Sequence, residues 1–154
     1  MTEEKMLEIS NIINLYRSGQ MIIVTDDEDR ENEGDLMVSS EKITVEDISF
    51  MARYGRGLIC VAIEKKLAEK MDLPLMAESN NSQYSTAFTV SIDGKSGTTT
   101  GISASDRLFT IQTLINDDAN ADDLLRPGHM FPLIAAEGGL MERTGHTEAA
   151  VELS

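Results

Sequence analysis

An acidic segment lies at residues 26–35, within the stretch TDDEDRENEGD. Seven of its ten residues are carboxylates, Arg30 lies among them, and Gly34 permits a sharp backbone turn near its end. An EF-hand loop beginning at Asp29 would need glutamate at its twelfth position, where this chain has Ser40, so that calcium motif fails. Magnesium fits better, because it needs only one or two carboxylates and keeps water and substrate oxygens as its other ligands. A solvated surface turn is the alternative interpretation of the segment.

Both histidines follow a glycine, in RPGH at His129 and in RTGH at His146. A histidine taken alone is more often a structural hydrogen-bonding residue than a ligand. Around His146, the segment RTGHTEAA offers a guanidinium, two hydroxyls and a glycine at a predicted helix start: Arg143, Thr144, Gly145 and Thr147. Helix N-termini with such donors hold phosphate groups, and His146 could then ligate a metal between a phosphate-bearing substrate and the acidic segment. A capped helix with a surface arginine is an equally good alternative.

Two further features carry weaker chemical signals. The segment TTTGISASDR clusters hydroxyls and a glycine before a predicted helix, which suits either an anion site or an ordinary capped helix. Cys60, inside GLICVAI, is interpreted as a small buried hydrophobic residue, because no base nearby in the sequence marks it as a nucleophile. A single cysteine cannot form an internal disulfide, so we expect a reducing, cytoplasmic location.

The hydrophobic pattern predicts the elements that position these residues. One helix face is predicted from the apolar spacing at Met6, Ile9, Ile12, Ile13 and Tyr16. MIIVT at 21–25 is predicted to be a short buried strand that leads into the acidic segment, and LMVSS at 36–40 a strand that leaves it. Both ends of the acidic segment are therefore expected to be anchored in strands.

In the remainder of the chain, the hydrophobic pattern predicts an alternation of helices and strands. Helices are predicted at 44–54, 64–71 and 103–117 and near the end of the chain, and strands at 57–63, 86–92, 97–103 and 130–136. Thr44 and Asp47 resemble a capping box, and DGKS at 93–96 is predicted to be the turn of a hairpin. Residues 77–86 are predicted to form a polar loop. Without a strict βαβ rhythm, we expect an α+β fold with a mixed sheet and helices packed around it.

Size and charge limit the classes of partner. At 154 residues, the chain is long enough for a single domain with its own core. Its formal net charge of −14 argues against nucleic acid or an anionic membrane as the main partner, because both would repel it. No apolar run approaches the roughly 18 residues that a membrane span needs. Small cations suit this charge better.

Four linked motifs resemble one enzyme family. DDEDRENEGD, TTGISASDR, RPGHMFPL and RTGHTEAA occur in the order and approximate spacing found in the 3,4-dihydroxy-2-butanone 4-phosphate synthases, which the chain resembles over essentially its whole length. The resemblance implies conversion of ribulose 5-phosphate to 3,4-dihydroxy-2-butanone 4-phosphate and formate, a step of riboflavin biosynthesis. It also implies a divalent cation, Mg²⁺ or Mn²⁺, and a homodimer whose active sites lie near the subunit interface.

The same resemblance implies roles for individual residues. Glu31 and His146 would ligate the metal, and His129 would be catalytic. The sugar would contact Arg30, Glu31 and Asp35, and the phosphate would be held by Arg143, Thr144, Gly145, His146 and Thr147. The reaction needs proton transfers at several carbons and a Lewis acid on neighbouring oxygens, which carboxylates, an imidazole and a metal can supply. Asp35 or Glu33 could be a general base, and the sequence does not choose between them.

Family members normally continue for tens of residues beyond the helix that begins near His146, and a second essential acidic residue lies in that part. Because this chain ends at Ser154, we expect one family domain over residues 1–154 that lacks the C-terminal segment. One alternative is therefore a catalytically impaired homologue that binds metal and sugar phosphate, or a non-catalytic dimeric protein. Another is a divalent-cation buffer built on the acidic segment, which would leave both Gly-His motifs unexplained.

Overall fold

Helices alternate with strands through residues 3–154, which a computed structural model describes, with side chains described from residue 7. The helices are α1 (Glu3–Arg17), α2 (Val45–Phe50), α3 (Lys65–Lys70), α4 (Ala104–Leu114) and α5 (His146–Glu152). The strands are β1 (Ile22–Thr25), β2 (Gly34–Met37), β3 (Cys60–Ile63), β4 (Ala87–Phe88), β5 (Ile92–Gly94) and β6 (Leu124–Ile134). The expected α+β class is confirmed. No helix within this described part is long and apolar enough to cross a membrane.

The longest strand, β6, organises the larger sheet. It pairs in parallel with β3, with Cys60 opposite Phe131, and antiparallel with β4 and β5. This combination makes the sheet mixed, as predicted. Helix α4 packs against β5 and β6, and α2 packs on α4. The most deeply buried members of the core include Ile48, Met71, Ile92, Leu114 and Met130. The core therefore provides a rigid support for the loops at the ends of β3, β5 and β6.

The acidic segment connects β1 and β2, which form a separate antiparallel pair. Val24 lies opposite Asp35 in this pair, so Asp35 belongs to a strand rather than to the turn. The prediction of a buried first strand is wrong, since the side chain of Ile23 is 69% exposed. A two-stranded ribbon can pack only one face on its neighbours, and alternate residues of β1 face outwards.

Several local signals correctly predicted where helices begin. Thr44 and Asp47 form the expected capping box before α2, and a π-helical turn over Met51–Gly55 extends that helix. Ser103 caps α4 by accepting a hydrogen bond from the backbone N–H of Asp106 at 3.0 Å. In α1, Tyr16 is 3% exposed whereas Ile9 and Ile12 are both 45% exposed, and the side chain of Met6 lies outside the described residues. The predicted apolar face of α1 is thus packed mainly at its C-terminal end.

Two strand predictions were wrong. The hairpin expected across DGKS does not form, because β5 pairs with β6 and residues 97–103 have no strand. The hydroxyl of Thr99 and the N–H of Gly101 both donate to the Asp106 carboxylate, which draws this segment to the start of α4. Strand β6 begins at Leu124, six residues before the predicted start at Met130, so RPGH lies inside the strand.

Candidate active site

Asp26 organises the turn between β1 and β2. Its carboxylate accepts hydrogen bonds from the backbone N–H groups of Glu31 and Glu33, each at 2.9 Å, and from Nη1 of Arg30 at 2.8 Å. Burial by itself would raise the pKa of Asp26, but these donors, together with the nearby His146, lower that pKa to about 2. Asp26 is therefore a fixed anion around which the acidic segment folds.

Arg30 and Glu31 form an ion pair beside this anion. Nη2 of Arg30 lies 2.8 Å from Oε1 of Glu31, and the two side chains are only 16% and 22% exposed. Arg30 also lies over the aromatic ring of Tyr84, with 5.3 Å between its guanidinium carbon and the ring centre. The Arg30 guanidinium, which also contacts Asp26 and Tyr84, therefore fixes the position of the Glu31 carboxylate. Glu31 is one of the metal ligands that the resemblance implies.

His146 lies at the start of α5 and reaches towards the β1–β2 ribbon. Its Nδ1 lies 3.9 Å from Oδ2 of Asp35, and its side chain is 10% exposed. Its Nε2 atom is buried and has no hydrogen-bond partner among the described residues. Buried polar atoms are nearly always paired, so an orphaned imidazole nitrogen beside carboxylates is well suited to ligate a cation.

A pocket of about 230 Å³ lies between β2, β3 and α5. Its polar lining includes Asp35, His146 and Thr147, and Cys60 lies on the β3 side. Burial raises the pKa of the Cys60 thiol to about 11, and the charge of Asp35 adds to this shift. The thiol therefore stays protonated near neutral pH, as expected of an inert residue. Glu33 does not line the pocket.

The donors near the pocket suit an incompletely coordinated divalent cation. Among the side chains described from residue 7 onwards, no three Asp, Glu, His or Cys residues already form a closed metal cage. Mg²⁺ does not require such a cage, because it keeps several waters and substrate oxygens as ligands. Of the two ligands implied by the resemblance, His146 lines the pocket and has the unpaired Nε2. Glu31 does not line the pocket, and its carboxylate is paired with Arg30 beside Asp26.

The predicted phosphate-binding segment is held tightly by the protein. Nη1 of Arg143 donates to Glu148, which is 1% exposed, at 2.6 Å, and Nε and Nη2 donate to the carbonyl of Tyr84 at 3.3 and 3.2 Å. A Cβ atom on Gly145 would lie 2.2 Å from Nη1 of Arg143, so a side chain there would displace the guanidinium from its pair with Glu148. Thr147 is buried against the pocket, whereas Thr144 is exposed and does not line it. Most N–H donors of Arg143 thus already have hydrogen-bond partners within the protein.

His129 does not line this pocket. Ile92 pairs with Met130 but Asp93 pairs with Leu125, so four residues of β6, 126–129, bulge out of the ladder. The bulge is fastened to Asp93, whose carboxylate accepts the His129 backbone N–H at 2.9 Å and lies 2.8 Å from His129 Nδ1. The imidazole is 42% exposed. This arrangement leaves its Nε2 edge available to another molecule.

Sequence reasoning missed three residues that shape these two places. Tyr84 lies in the segment predicted to be a simple polar loop, Asp93 in the predicted hairpin turn, and Glu148 in the final helix. Their partners are distant in the sequence: Tyr84 contacts Arg30, and Asp93 contacts His129. Among them only Glu148 offered a local signal, as a carboxylate in the first turn of a predicted helix close to an arginine.

The comparisons with known proteins agree over nearly the whole chain. The family described as 3,4-dihydroxy-2-butanone 4-phosphate synthase matches residues 10–154. The synthase of that name from Haemophilus influenzae (strain PittEE) is 51% identical over 152 residues, which cover 99% of this chain and 69% of the relative. That from Photobacterium phosphoreum is 50% identical over 143 residues, which cover 93% of this chain but only 39% of the relative.

Solved structures give the same result for the fold. A crystal structure of 3,4-dihydroxy-2-butanone 4-phosphate synthase in complex with two magnesium ions matches with a TM-score of 0.92 and 44% identity, over 94% of this chain and 68% of that chain. A cation-free form matches with a TM-score of 0.86 and 43% identity, over 94% and 67% of the two chains. By sequence and by fold, this chain belongs to the 3,4-dihydroxy-2-butanone 4-phosphate synthase family.

Proposed function

We propose that this chain is a lyase of riboflavin biosynthesis that converts ribulose 5-phosphate to 3,4-dihydroxy-2-butanone 4-phosphate and formate. The observation that carries the proposal is the buried, unpaired Nε2 of His146 next to the acidic segment, at a pocket of about 230 Å³. Family membership supports the identity of the substrate. The cofactor is Mg²⁺, as in one solved relative, or Mn²⁺.

Glu31 and His146 would hold the cation, which would act as a Lewis acid towards the carbonyl and hydroxyl oxygens of the substrate. Arg30, held by Asp26 and Glu31, would orient the sugar hydroxyls. We assign the general base to Asp35, because its carboxylate is 53% exposed and lines the pocket beside His146. In the free protein Glu33 lies outside that lining.

The segment from Arg143 to Thr147 would bind the phosphate at the edge of the pocket. Three features of this segment would attract the phosphate: the charge of Arg143, the buried Thr147 and the first N–H groups of α5. Those N–H groups have no partners within the helix. Gly145 leaves room for the Arg143 guanidinium beside the backbone, which a side chain at this position would displace. The arginine therefore orders the segment as much as it attracts the anion.

His129 would serve in a site shared between two copies of the chain. It is exposed, held through Nδ1 by Asp93, and absent from the pocket that contains Asp35 and His146. With Nδ1 donating to Asp93, Nε2 could accept or return a proton on the substrate. A homodimer that brings His129 of the partner subunit to this pocket would complete the set of catalytic groups.

The test is formate release from ribulose 5-phosphate in the presence of Mg²⁺. We expect turnover that EDTA abolishes and that Mg²⁺ or Mn²⁺ restores. Mixing a His129→Asn chain with a His146→Asn chain should recover activity, because each mixed dimer has one pocket with neither substitution. Binding of ribulose 5-phosphate without formate release would instead support a non-catalytic homologue.

The proposal also includes a domain organisation and a cellular location. We assign residues 1–154 to one family domain that works in the cytoplasm. The single Cys60 of this chain is a free thiol, which suits a reducing compartment, and the net charge of −14 suits binding of a metal cation. Sedimentation of the purified chain would test the dimer.

A further inference from the structure

Tyr84 contacts both arginines of the candidate site. Its phenolic hydroxyl donates to the backbone carbonyl of Arg30 at 2.5 Å, and its ring faces the Arg30 guanidinium at 5.3 Å. Its own backbone carbonyl accepts Nε and Nη2 of Arg143 at 3.3 and 3.2 Å. One residue of the 77–86 loop thus joins the acidic segment to the segment that begins α5.

The side chain of Tyr84 acts on the half of the site that includes Glu31. Arg30 bonds Glu31 through Nη2 and Asp26 through Nη1, both at 2.8 Å, and Tyr84 covers the face of the same guanidinium. A guanidinium held at its edge by carboxylates and on its face by an aromatic ring has little freedom to turn. The orientation of the Glu31 carboxylate therefore depends on Tyr84.

The backbone of Tyr84 acts on the other half. Arg143 bonds its carbonyl oxygen, which every side-chain variant at this position keeps. Substitution of Tyr84 should therefore disturb Glu31 and Arg30 while leaving Arg143 in place. This separation distinguishes a positioning role from a general loss of structure.

We propose that Tyr84 is a positioning residue that holds Arg30, and through it Glu31, in the geometry that binds the divalent cation. The inference rests on the proposed function, because it assigns Glu31 to the metal. Tyr84 itself does not touch the reacting atoms in this scheme. Its contribution is to reduce the reorganisation that Glu31 undergoes when the cation binds.

The loop also has hydrogen bonds that do not involve the phenol. Asn80 holds the loop through its side chain, donating Nδ2 to the carbonyl of Thr86 at 2.9 Å and accepting the N–H of Ser82 at 3.0 Å. Arg143 adds a bond from Nη2 to the hydroxyl of Thr86 at 3.3 Å. A Tyr84→Phe variant should therefore fold normally and lose only the hydroxyl contacts.

The test measures Mn²⁺ affinity in the absence of substrate, by calorimetry, for the full chain and its Tyr84→Phe and Tyr84→Ala variants. Loss of the hydrogen bond from the Tyr84 hydroxyl to Arg30 should raise the Mn²⁺ dissociation constant about threefold to tenfold in Tyr84→Phe, and more in Tyr84→Ala. Affinity for inorganic phosphate and the melting temperature of Tyr84→Phe should not change. Tyr54→Ala is the matched control, since Tyr54 is 63% exposed and its ring makes a tilted contact with Phe50.

Tyrosine fluorescence gives an independent signal. The chain has three tyrosines and no tryptophan, so its intrinsic emission comes from tyrosine. When Mg²⁺ is added in the absence of Mn²⁺, we expect the tyrosine emission of the parent chain and of Tyr54→Phe to change. The emission of Tyr84→Phe should stay the same. Steady-state kinetics should show a higher KM for ribulose 5-phosphate in Tyr84→Phe, with a smaller effect on kcat.

The outcomes separate this inference from the proposed reaction. Equal Mn²⁺ dissociation constants for the parent chain and both Tyr84 variants would overturn the positioning role, even if the parent chain releases formate. A parent chain that binds Mn²⁺ but releases no formate would refute the proposed reaction, while weaker binding by the Tyr84 variants would still support the inference. Equal weakening by Tyr54→Ala would also overturn it.

Discussion

His146 and Asp35 face each other at the pocket, with 3.9 Å between Nδ1 of the imidazole and Oδ2 of the carboxylate. Asp35 belongs to β2 and His146 is the first residue of α5, so this approach joins the ribbon that carries the acidic segment to the last described helix. The candidate metal site therefore exists only when α5 is packed beside that ribbon. Its donors are otherwise distant in the chain.

Removing either proposed metal ligand should weaken cation binding. We expect Glu31→Gln and His146→Asn each to raise the Mg²⁺ dissociation constant about tenfold or more and to abolish formate release, because each removes a direct donor. Calorimetry with Mg²⁺ measures the first effect. Glu28→Gln is the matched control, since Glu28 is an exposed carboxylate of the same segment. Unchanged affinity in Glu31→Gln would contradict the assignment.

Asp35 and Glu33 can be separated as candidate bases by conservative substitution. Asp35→Asn should lower kcat at least about 100-fold, since a positioned general base contributes roughly that much or more. Glu33→Gln should have a much smaller effect, because Glu33 does not line the pocket. Rates of formate release at saturating ribulose 5-phosphate decide the question. A larger loss in Glu33→Gln would reverse the assignment.

Asp26 should make the stability of the protein depend on pH in the acidic range. Its pKa is lowered from an ordinary 3.8 to about 2 in the folded chain. A carboxylate with a lowered pKa stabilises the fold fully above the unfolded value, and this stabilisation is lost as pH falls towards the folded value. Asp26→Asn should therefore be less stable than the parent chain at neutral pH, with a difference that shrinks between about pH 4 and pH 2. Urea unfolding across this range measures it, and a constant difference would argue against the prediction.

The bulge that presents His129 should tolerate no side chain at Gly128. A Cβ atom there would lie 2.0 Å from the carbonyl carbon of Ile92. Gly128→Ala should lower the free energy of unfolding by about 3 kcal/mol, because the backbone of β5 would have to move. Gly57→Ala is the control, since nothing lies within 4 Å of its Cβ position. Equal stability of the two variants in urea would contradict this account.

The buried pair of Arg143 and Glu148 should matter far more than an exposed pair. Glu148 is 1% exposed and also accepts the N–H of Ala136, so Glu148→Ala would leave two donors without their partner. Breaking such a pair destabilises a protein by about 3 kcal/mol or more. Glu137→Ala, which breaks an exposed pair with Lys65, should have no measurable effect in thermal unfolding. Similar losses in both variants would show that burial is not the cause.

Features set by local chemistry were predictable from the sequence. The caps at Thr44 and Ser103 follow from hydrogen bonds between residues three apart, and both were predicted correctly. The acidic segment and the Gly-His motifs likewise indicated a cation and an anion site, because the residue types themselves carry that chemistry. Their assigned roles remain predictions.

Long-range packing decided the rest. The exposure of Ile23 depends on which face of the β1–β2 ribbon finds a neighbour, and the position of Asp93 depends on β5 pairing with β6 instead of with residues 97–103. Tyr84 and Arg30 are 54 residues apart in the sequence, so no helical or strand periodicity predicts their contact. The sequence by itself determined which side chains could do chemistry. Only the tertiary structure decided which of them meet, because burial and strand pairing are properties of the whole chain.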